Sequence, residues 1–173
     1  MKKNSKAAIP KKNAAPKKAS PKKAKAAATK KAASKSATGI KYEDKSAGQP
    51  QLVPIFTKIR DMLVKYGKGS VKQRGGEGGQ VVLVSEKPVV IQGKKRDELW
   101  VGGLLVQKGY VGFYFMPAQN AAEKKEIFKT ELLKCLKGKS CFHIKKEDPV
   151  IFEQIEQALR LGFQKYKERG WIE

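Results

Sequence analysis

Forty residues at the N-terminus constrain this chain more than anything that follows them. Residues 1–40 carry thirteen Lys, twelve Ala and three Pro, with no acidic and no aromatic residue, and after Met1 their only large apolar side chains are Ile9 and Ile40. Such a segment has too little apolar surface to offset the entropy lost on ordering, so it is expected to be disordered. It nevertheless has a rhythm. Ile9-Pro10-Lys11-Lys12, Ala15-Pro16-Lys17-Lys18 and Ser20-Pro21-Lys22-Lys23 repeat the pattern X-Pro-Lys-Lys. Each Pro disfavours the α region in the residue before it and cannot continue a helix, so every repeat reads as a turn or an extended step. Between Lys22 and Ser36, where Pro is absent, Ala and Lys dominate, and helix is expected there once phosphate neutralises the self-repulsion. Thirteen of the +22 formal net charges lie in this stretch, which leaves +9 for residues 41–173.

The same inventory excludes several classes. No run approaches the ~18 consecutive apolar residues of a spanning helix, and the basic N-terminus never reaches the apolar core of a secretory signal. A mitochondrial presequence is rich in Arg, and the first Arg here is Arg60. Cys135 and Cys141 make no disulfide framework, so a reducing cytosol is the simplest home. Residues 41–51, rich in Gly, Ser, Gln and mixed charge, read as a linker to a domain at 52–173. That length buries roughly two-thirds of its chain surface on folding.

Within the domain, Ile55, Phe56, Ile59, Met62, Leu63 and Tyr66 recur at helical spacing, with Pro54 suited to the first turn and Gly67 to the stop. Gly75–Gly79 reads as a loose hairpin tip, followed by strands at Val81–Val84 and Val89–Ile91. Leu99–Gln107 and Tyr110–Met116 are joined by Lys108-Gly109, a two-residue turn typical of a hairpin. Apolar residues return at helical spacing around Glu123–Leu136, with a break near Thr130, and Cys141–Ile144 reads as a further short strand. In the last element Asp148 can cap, Pro149 suits the first position, and Ile151, Phe152, Ile155, Leu159, Phe163 and Tyr166 form a stripe that Gly170 ends. Central strands with helices at both ends predict an α+β fold, a mostly antiparallel sheet flanked by N- and C-terminal helices and preceded by the disordered tail.

The tail carries the strongest functional signal. A lysine array attracts polyphosphate because each neutralised phosphate releases a condensed counterion, and nothing in that mechanism reads bases. Nucleic acid, DNA before RNA, is therefore the expected partner, with Lys11, Lys12, Lys17, Lys18, Lys22, Lys23, Lys30 and Lys31 as the phosphate contacts. A membrane is not expected, since a membrane-bound tail adds an aromatic or apolar anchor that is missing here. Lys94-Lys95-Arg96 and Lys137-Gly138-Lys139 read as loops, either simply solvated or extending the tail's footprint. Trp100, Tyr110 and Tyr114 are the residues that could stack on single-stranded bases, but aromatic residues on strands are usually core, and the core is where they are expected. Gly138-Lys139-Ser140 is not a phosphate loop: Leu133 stands where the motif needs Gly, and a strand follows where it needs a helix. Cys135, Cys141 and His143 lack the spacing of a structural zinc site, and a Cys141–His143 nucleophile pair lacks a third, orienting group, so neither cofactor nor enzymatic activity is expected. The acidic cluster Glu147, Asp148, Glu153 and Glu156 is explained by capping and the helix dipole.

Two resemblances add to this. Ser20-Pro21-Lys22-Lys23 in its Ala/Lys/Pro setting is similar to the tails of linker histones and bacterial histone-like proteins, which implies contact along A·T-rich minor grooves. Residues from about Leu52 to Trp171 resemble the YdhG-like family of domains of unknown function. The resemblance is carried by Lys108-Gly109-Tyr110-Val111-Gly112-Phe113-Tyr114-Phe115-Met116-Pro117, by Leu136-Lys137-Gly138-Lys139-Ser140-Cys141-Phe142-His143-Ile144 and by the closing Gly162-Phe163 and Gly170-Trp171. It implies a small α+β domain and no established catalytic residues. A likeness in shape between some members and frataxin implies iron or small-ligand binding as the alternative, with the tail serving only for localisation; such a site uses an acidic face, and this domain is net basic. The expectation is thus a cytoplasmic protein, nucleoid-associated in a bacterial cell, that binds nucleic acid through its tail.

Overall fold

A computed structural model describes residues 45–173, and the disordered-tail expectation lies outside those residues. Two of the expected helices anchor the described chain. The first, α1 (Val53–Leu63), buries Ile55, Phe56, Ile59, Met62 and Leu63 on one face and ends in a 3-10 turn over Val64–Tyr66. At the other end of the chain lies α4 (Pro149–Glu168). Its N-terminus is capped by Asp148, whose Oδ1 accepts from the Val150 and Ile151 N–H groups at 3.0 and 3.4 Å. Its C-terminus closes with the Trp171 N–H donating to the Tyr166 carbonyl at 3.0 Å, and the Trp171 ring folds back edge-on against Tyr166.

Between the helices run β1 (Val71–Gly75), β2 (Gln80–Ser85), β3 (Val89–Ile91), β4 (Lys94–Arg96), β5 (Leu99–Gln107) and β6 (Tyr110–Phe115), then β7 (Leu136–Lys137) and β8 (Cys141–Ile144). Six of them form one sheet in the order β1-β2-β5-β6-β8-β7, every pairing antiparallel, while β3 and β4 form a separate hairpin. The α+β architecture with a mostly antiparallel sheet is therefore as the sequence predicts. Two basic runs expected as loops are not wholly so. Lys94-Lys95-Arg96 is strand β4, paired to β3, and Lys137 belongs to β7, leaving Gly138–Ser140 as the turn into β8. Strand β1, with its polar Lys72-Gln73-Arg74, has no apolar alternation to announce it; its exposed charges suit a sheet edge, where they discourage pairing with another chain. The linker read at 41–51 is tied down over its described part: the Lys45 N–H donates to Gly78 O at 2.8 Å, and the Gln49 side chain accepts from the Gly109 N–H at 2.6 Å.

The predicted helical stretch near 123–136 is split where it was expected to break. A first piece, α2 (Ala121–Ile127), is capped by Asn120. The chain then extends at Phe128, which leaves the helical conformation to enter the core, before α3 (Thr130–Lys134) resumes. The Leu132 N–H at the start of α3 is satisfied by the Gln154 side chain of α4 at 2.8 Å.

Phe113, Phe115, Phe128, Phe142 and Phe163 form the centre of the core, with neighbouring ring centroids 5.0–6.1 Å apart. Such contacts add about 0.5–1.5 kcal/mol per pair beyond area burial. Helix α4 approaches this cluster at Gly162, where an added Cβ would sit 2.5 Å from Phe115 Cε1 and 3.0 Å from Pro117 Cγ. Phe115 is enclosed by rings and has no room to yield. Overpacking there costs about 1–3 kcal/mol, whereas the better helix propensity of Ala returns at most ~1 kcal/mol. Gly162→Ala should therefore lower the unfolding free energy by about 1 kcal/mol in urea denaturation. An unchanged midpoint would show that the aromatic cluster can give way.

Candidate functional site

The eight lysines assigned to phosphate contact lie outside the described residues. What the described residues offer is a sheet with two different faces. All four helices of the described residues lie in one layer: α4 meets α1, α2 and α3, and reaches β6 through Phe115. That layer covers the side carrying Val81, Leu83, Val106, Val111, Phe113, Phe115, Phe142 and Ile144. Partners across antiparallel strands share a face. The opposite face therefore carries Gln80, Val82, Val84, Trp100, Leu105, Gln107, Tyr110, Tyr114, Cys141 and His143 on its central strands, with Lys72 and Arg74 on edge strand β1 and Lys137 on β7.

Trp100, Tyr110 and Tyr114, expected in the core, thus lie on the helix-free face and are only half-buried. The physical cause for Trp100 is a bulge. Leu83 pairs with Gly102 and Val84 with Trp100, so Val101 is an extra residue on β5. Strict alternation from Leu104 through Gly102 would have turned Trp100 inward; the extra residue turns Val101 and Leu99 in and Trp100 out. A signal existed in the sequence. The apolar pairs Leu99/Val101 and Leu104/Val106 fall on opposite parities, and the slip occurs at Gly102-Gly103.

Glycine also shapes the ring posture. Gly103 stands directly opposite Tyr114, and an added Cβ would lie 3.3 Å from Trp100 Cζ2; the same atom on Gly112 would lie 2.9 Å from Tyr114 Cε2. The rings of Trp100 and Tyr114 lean over these bare stretches of backbone, their centroids 6.0 Å apart and their planes at 59°. Gln107 Nε2 donates to the Tyr114 hydroxyl at 3.3 Å. Beside them Tyr110 and His143 stack face to face at 3.8 Å. Burial, with Lys137 and Lys145 nearby, holds the His143 imidazole below its usual range, so that ring is neutral at pH 7. Cys141 shares the face with His143, as expected from the strand, yet its thiol meets the Tyr114 hydroxyl, and burial pushes it above the ordinary thiol range. Burial does the same to Cys135, whose Sγ lies 3.7 Å from Glu131 O. Among the described residues no three His, Cys, Asp or Glu side chains are grouped to hold a metal ion.

Two hollows adjoin this face. One, of about 370 Å³, lies over Val82 and Val84 between Trp100, Arg74, Arg96 and Glu98. Arg74 engages Glu98 by two hydrogen bonds and Glu86 at 3.7 Å, and the bond from Arg74 holds the Glu98 carboxyl below the usual carboxylate range. The other, of about 670 Å³, runs beside the β3–β4 hairpin and the end of α4, and is bordered by Trp100, Arg96, Trp171 and Arg169. Near it Arg169 ties α4 to α2 through Glu123 and sits 4.8 Å over the Trp171 ring. The second oxygen of Glu123 is buried without a hydrogen-bond partner.

No helix of the described residues is long and apolar enough to cross a membrane. No protein-family model, curated protein or solved structure matches the chain.

Two outcomes follow from these geometries. Arg169→Met leaves the Glu123 carboxylate enclosed and unpaired, and should cost about 1–3 kcal/mol of stability in urea denaturation; adding Glu123→Gln should restore part of it, since a neutral amide is less costly to bury than a carboxylate. Alkylation of Cys135 and Cys141 by iodoacetamide at pH 7 should be slower than that of free cysteine, with the rate rising only at a pH above the ordinary thiol range, because the thiolate is the reacting species. Fast labelling at pH 7 that Cys141→Ser removes would contradict this placement.

Proposed function

We propose that this protein binds nucleic acid, DNA before RNA, through the lysines of residues 1–40, without base readout and without a chemical step. The observation that supports this is the charge distribution: thirteen lysines and no carboxylate within forty residues, attached to a domain that is itself net basic at +9. So one-sided a segment has no carboxylate of its own to compete for its lysines, and each phosphate contact gains from counterion release. Lys11, Lys12, Lys17, Lys18, Lys22, Lys23, Lys30 and Lys31 are the proposed contacts, six of them in the X-Pro-Lys-Lys repeats, where paired lysines follow each Pro. The domain over residues 52–171 is proposed to be YdhG-like, on the three phrases that carry that resemblance, and the protein to act in the cytoplasm, on the nucleoid in a bacterial cell.

A salt titration with random duplex DNA tests the tail. The full chain should show a log–log slope of affinity against salt of about −5 or steeper. The chain with all eight lysines replaced by Gln should lose most of that slope. An unchanged slope would move the duplex-binding site to residues 41–173.

A further inference from the structure

We propose that the helix-free face of the sheet is a stacking platform for the bases of a single-stranded nucleic acid, with Trp100 and Tyr114 as the rings on which bases lie and Lys72, Arg96, Lys137 and Lys145 as the rim that meets the phosphates. This stands on the folded residues and does not depend on the lysine tail.

The composition of the face is the first reason. An antiparallel sheet with one side in water normally alternates apolar-in and polar-out. Here the outward positions of the central strands carry no charged side chain: Val82, Trp100, Leu105, Tyr110 and Tyr114 dominate, Gln80 and Gln107 are the polar exceptions, and the charges are confined to the margins. Contiguous apolar surface rimmed by polar residues marks an interaction site. Ring posture is the second reason. Trp100 and Tyr114 could have been held upright by bulky cross-strand neighbours, but Gly103 and Gly112 let them lean over the backbone. Their planes differ by 59°, so no single flat group can stack on both; the pair fits two successive bases, one to each ring. Tyr110 and His143 are already stacked on each other and form the wall beside them.

Charge selects the occupant. The rim is cationic at both edges: Lys72 on β1 and Lys137 on β7 are exposed, five strand spacings or roughly 24 Å apart, and Arg96 stands over the hollow beside Trp100. Lys137 and Lys145 lie near enough to His143 to disfavour its protonation. The carboxylate facing this hollow, Glu98, is engaged by Arg74. An apolar floor carrying aromatic rings between two cationic margins complements an anionic backbone with flat apolar bases. Aromatic stacking on such a platform is tolerant of sequence, because every base has a π-face. A duplex hides its base faces in its own stack and can offer only phosphates, so the preference should be for single strands.

Tryptophan emission and binding of the full-length chain to dT12, U12 and a hairpin duplex, compared in 0.3 M salt to suppress purely phosphate-driven contacts, test this. Saturating single strands should quench tryptophan emission, and Trp100→Phe, which keeps an aromatic ring and the fold, should remove that quenching while holding affinity within about threefold. Trp100→Ala and Tyr114→Ala should each weaken single-strand binding about tenfold or more, with duplex binding changed less than twofold. Tighter binding of dT12 assigns the platform to DNA and tighter binding of U12 to RNA; either supports it. Quenching that survives in Trp100→Phe would come from Trp171 and overturn the proposal, as would equal losses on single strand and duplex. The two proposals fail separately: loss of the tail lysines acts on duplex and single strand alike, loss of the rings on single strands alone.

Discussion

The contact between Gly162 and Phe115 sets the geometry of the whole domain. Because α4 carries no side chain at that point, its backbone comes down onto the β6 ring and onto Pro117, with Phe163 alongside. Phe115 in turn touches Phe113 and Phe128, which reach Phe142 on β8. One short approach therefore draws the long C-terminal helix, the split α2–α3 segment and the inward side chains of two strands, β6 and β8, into a single apolar layer. A Tyr66–Phe163 stack at 4.2 Å brings the end of the first helical segment into the same layer. With all helices drawn to one side, the other side of the sheet is left with whatever its own residues can do.

Much of this was legible from the sequence because it rests on local rules. Asp148-Pro149 and Gly170-Trp171 announce both ends of α4, Lys108-Gly109 announces the β5–β6 turn, and the period-3.6 stripes of α1 and α4 announce their buried faces. Where the sequence misled, the cause was non-local. Charged Lys94-Lys95-Arg96 has no strand pattern of its own and becomes a strand only because β3 supplies the partner. The break near Thr130 was legible, but not that Phe128 would fill the core there: the space between the Phe115 and Phe142 rings draws it out of the helix. Trp100 obeys the alternation of its immediate neighbours only after one residue is added to the strand, and a bulge is a property of the β2–β5 pair rather than of either segment.

That bulge links the fold to the surface. It places the largest side chain of β5 outside, next to Tyr114, and Gly103, directly across from Tyr114, lets both rings lean in. Aromatic cover over a cross-strand glycine is itself a stabilising device, so these rings serve the sheet whatever else they contact. Stability alone does not require the rest of the face to be apolar. Val82 and Leu105 are half-buried at positions where polar side chains would serve a solvated sheet equally well.

The described chain begins at the Tyr110 end of the sheet, away from the end that carries Trp100 and Tyr114. Lys45 is bonded to Gly78 in the β1–β2 turn and Gln49 to Gly109 in the β5–β6 turn, immediately before Tyr110. Everything N-terminal to Lys45 is therefore covalently joined to the domain at that end. On the two proposals together, one polymer meets two elements of opposite selectivity: lysines that accept any phosphate backbone, and a ring pair that accepts only unpaired bases. Joining them makes the second encounter intramolecular, at an effective concentration set by the intervening chain rather than by the solution. Weak stacking on two rings is then sufficient to bias a lysine-bound chain toward single-stranded stretches, gaps and ends, and the selectivity would reside in the folded domain while the affinity resides in the charge.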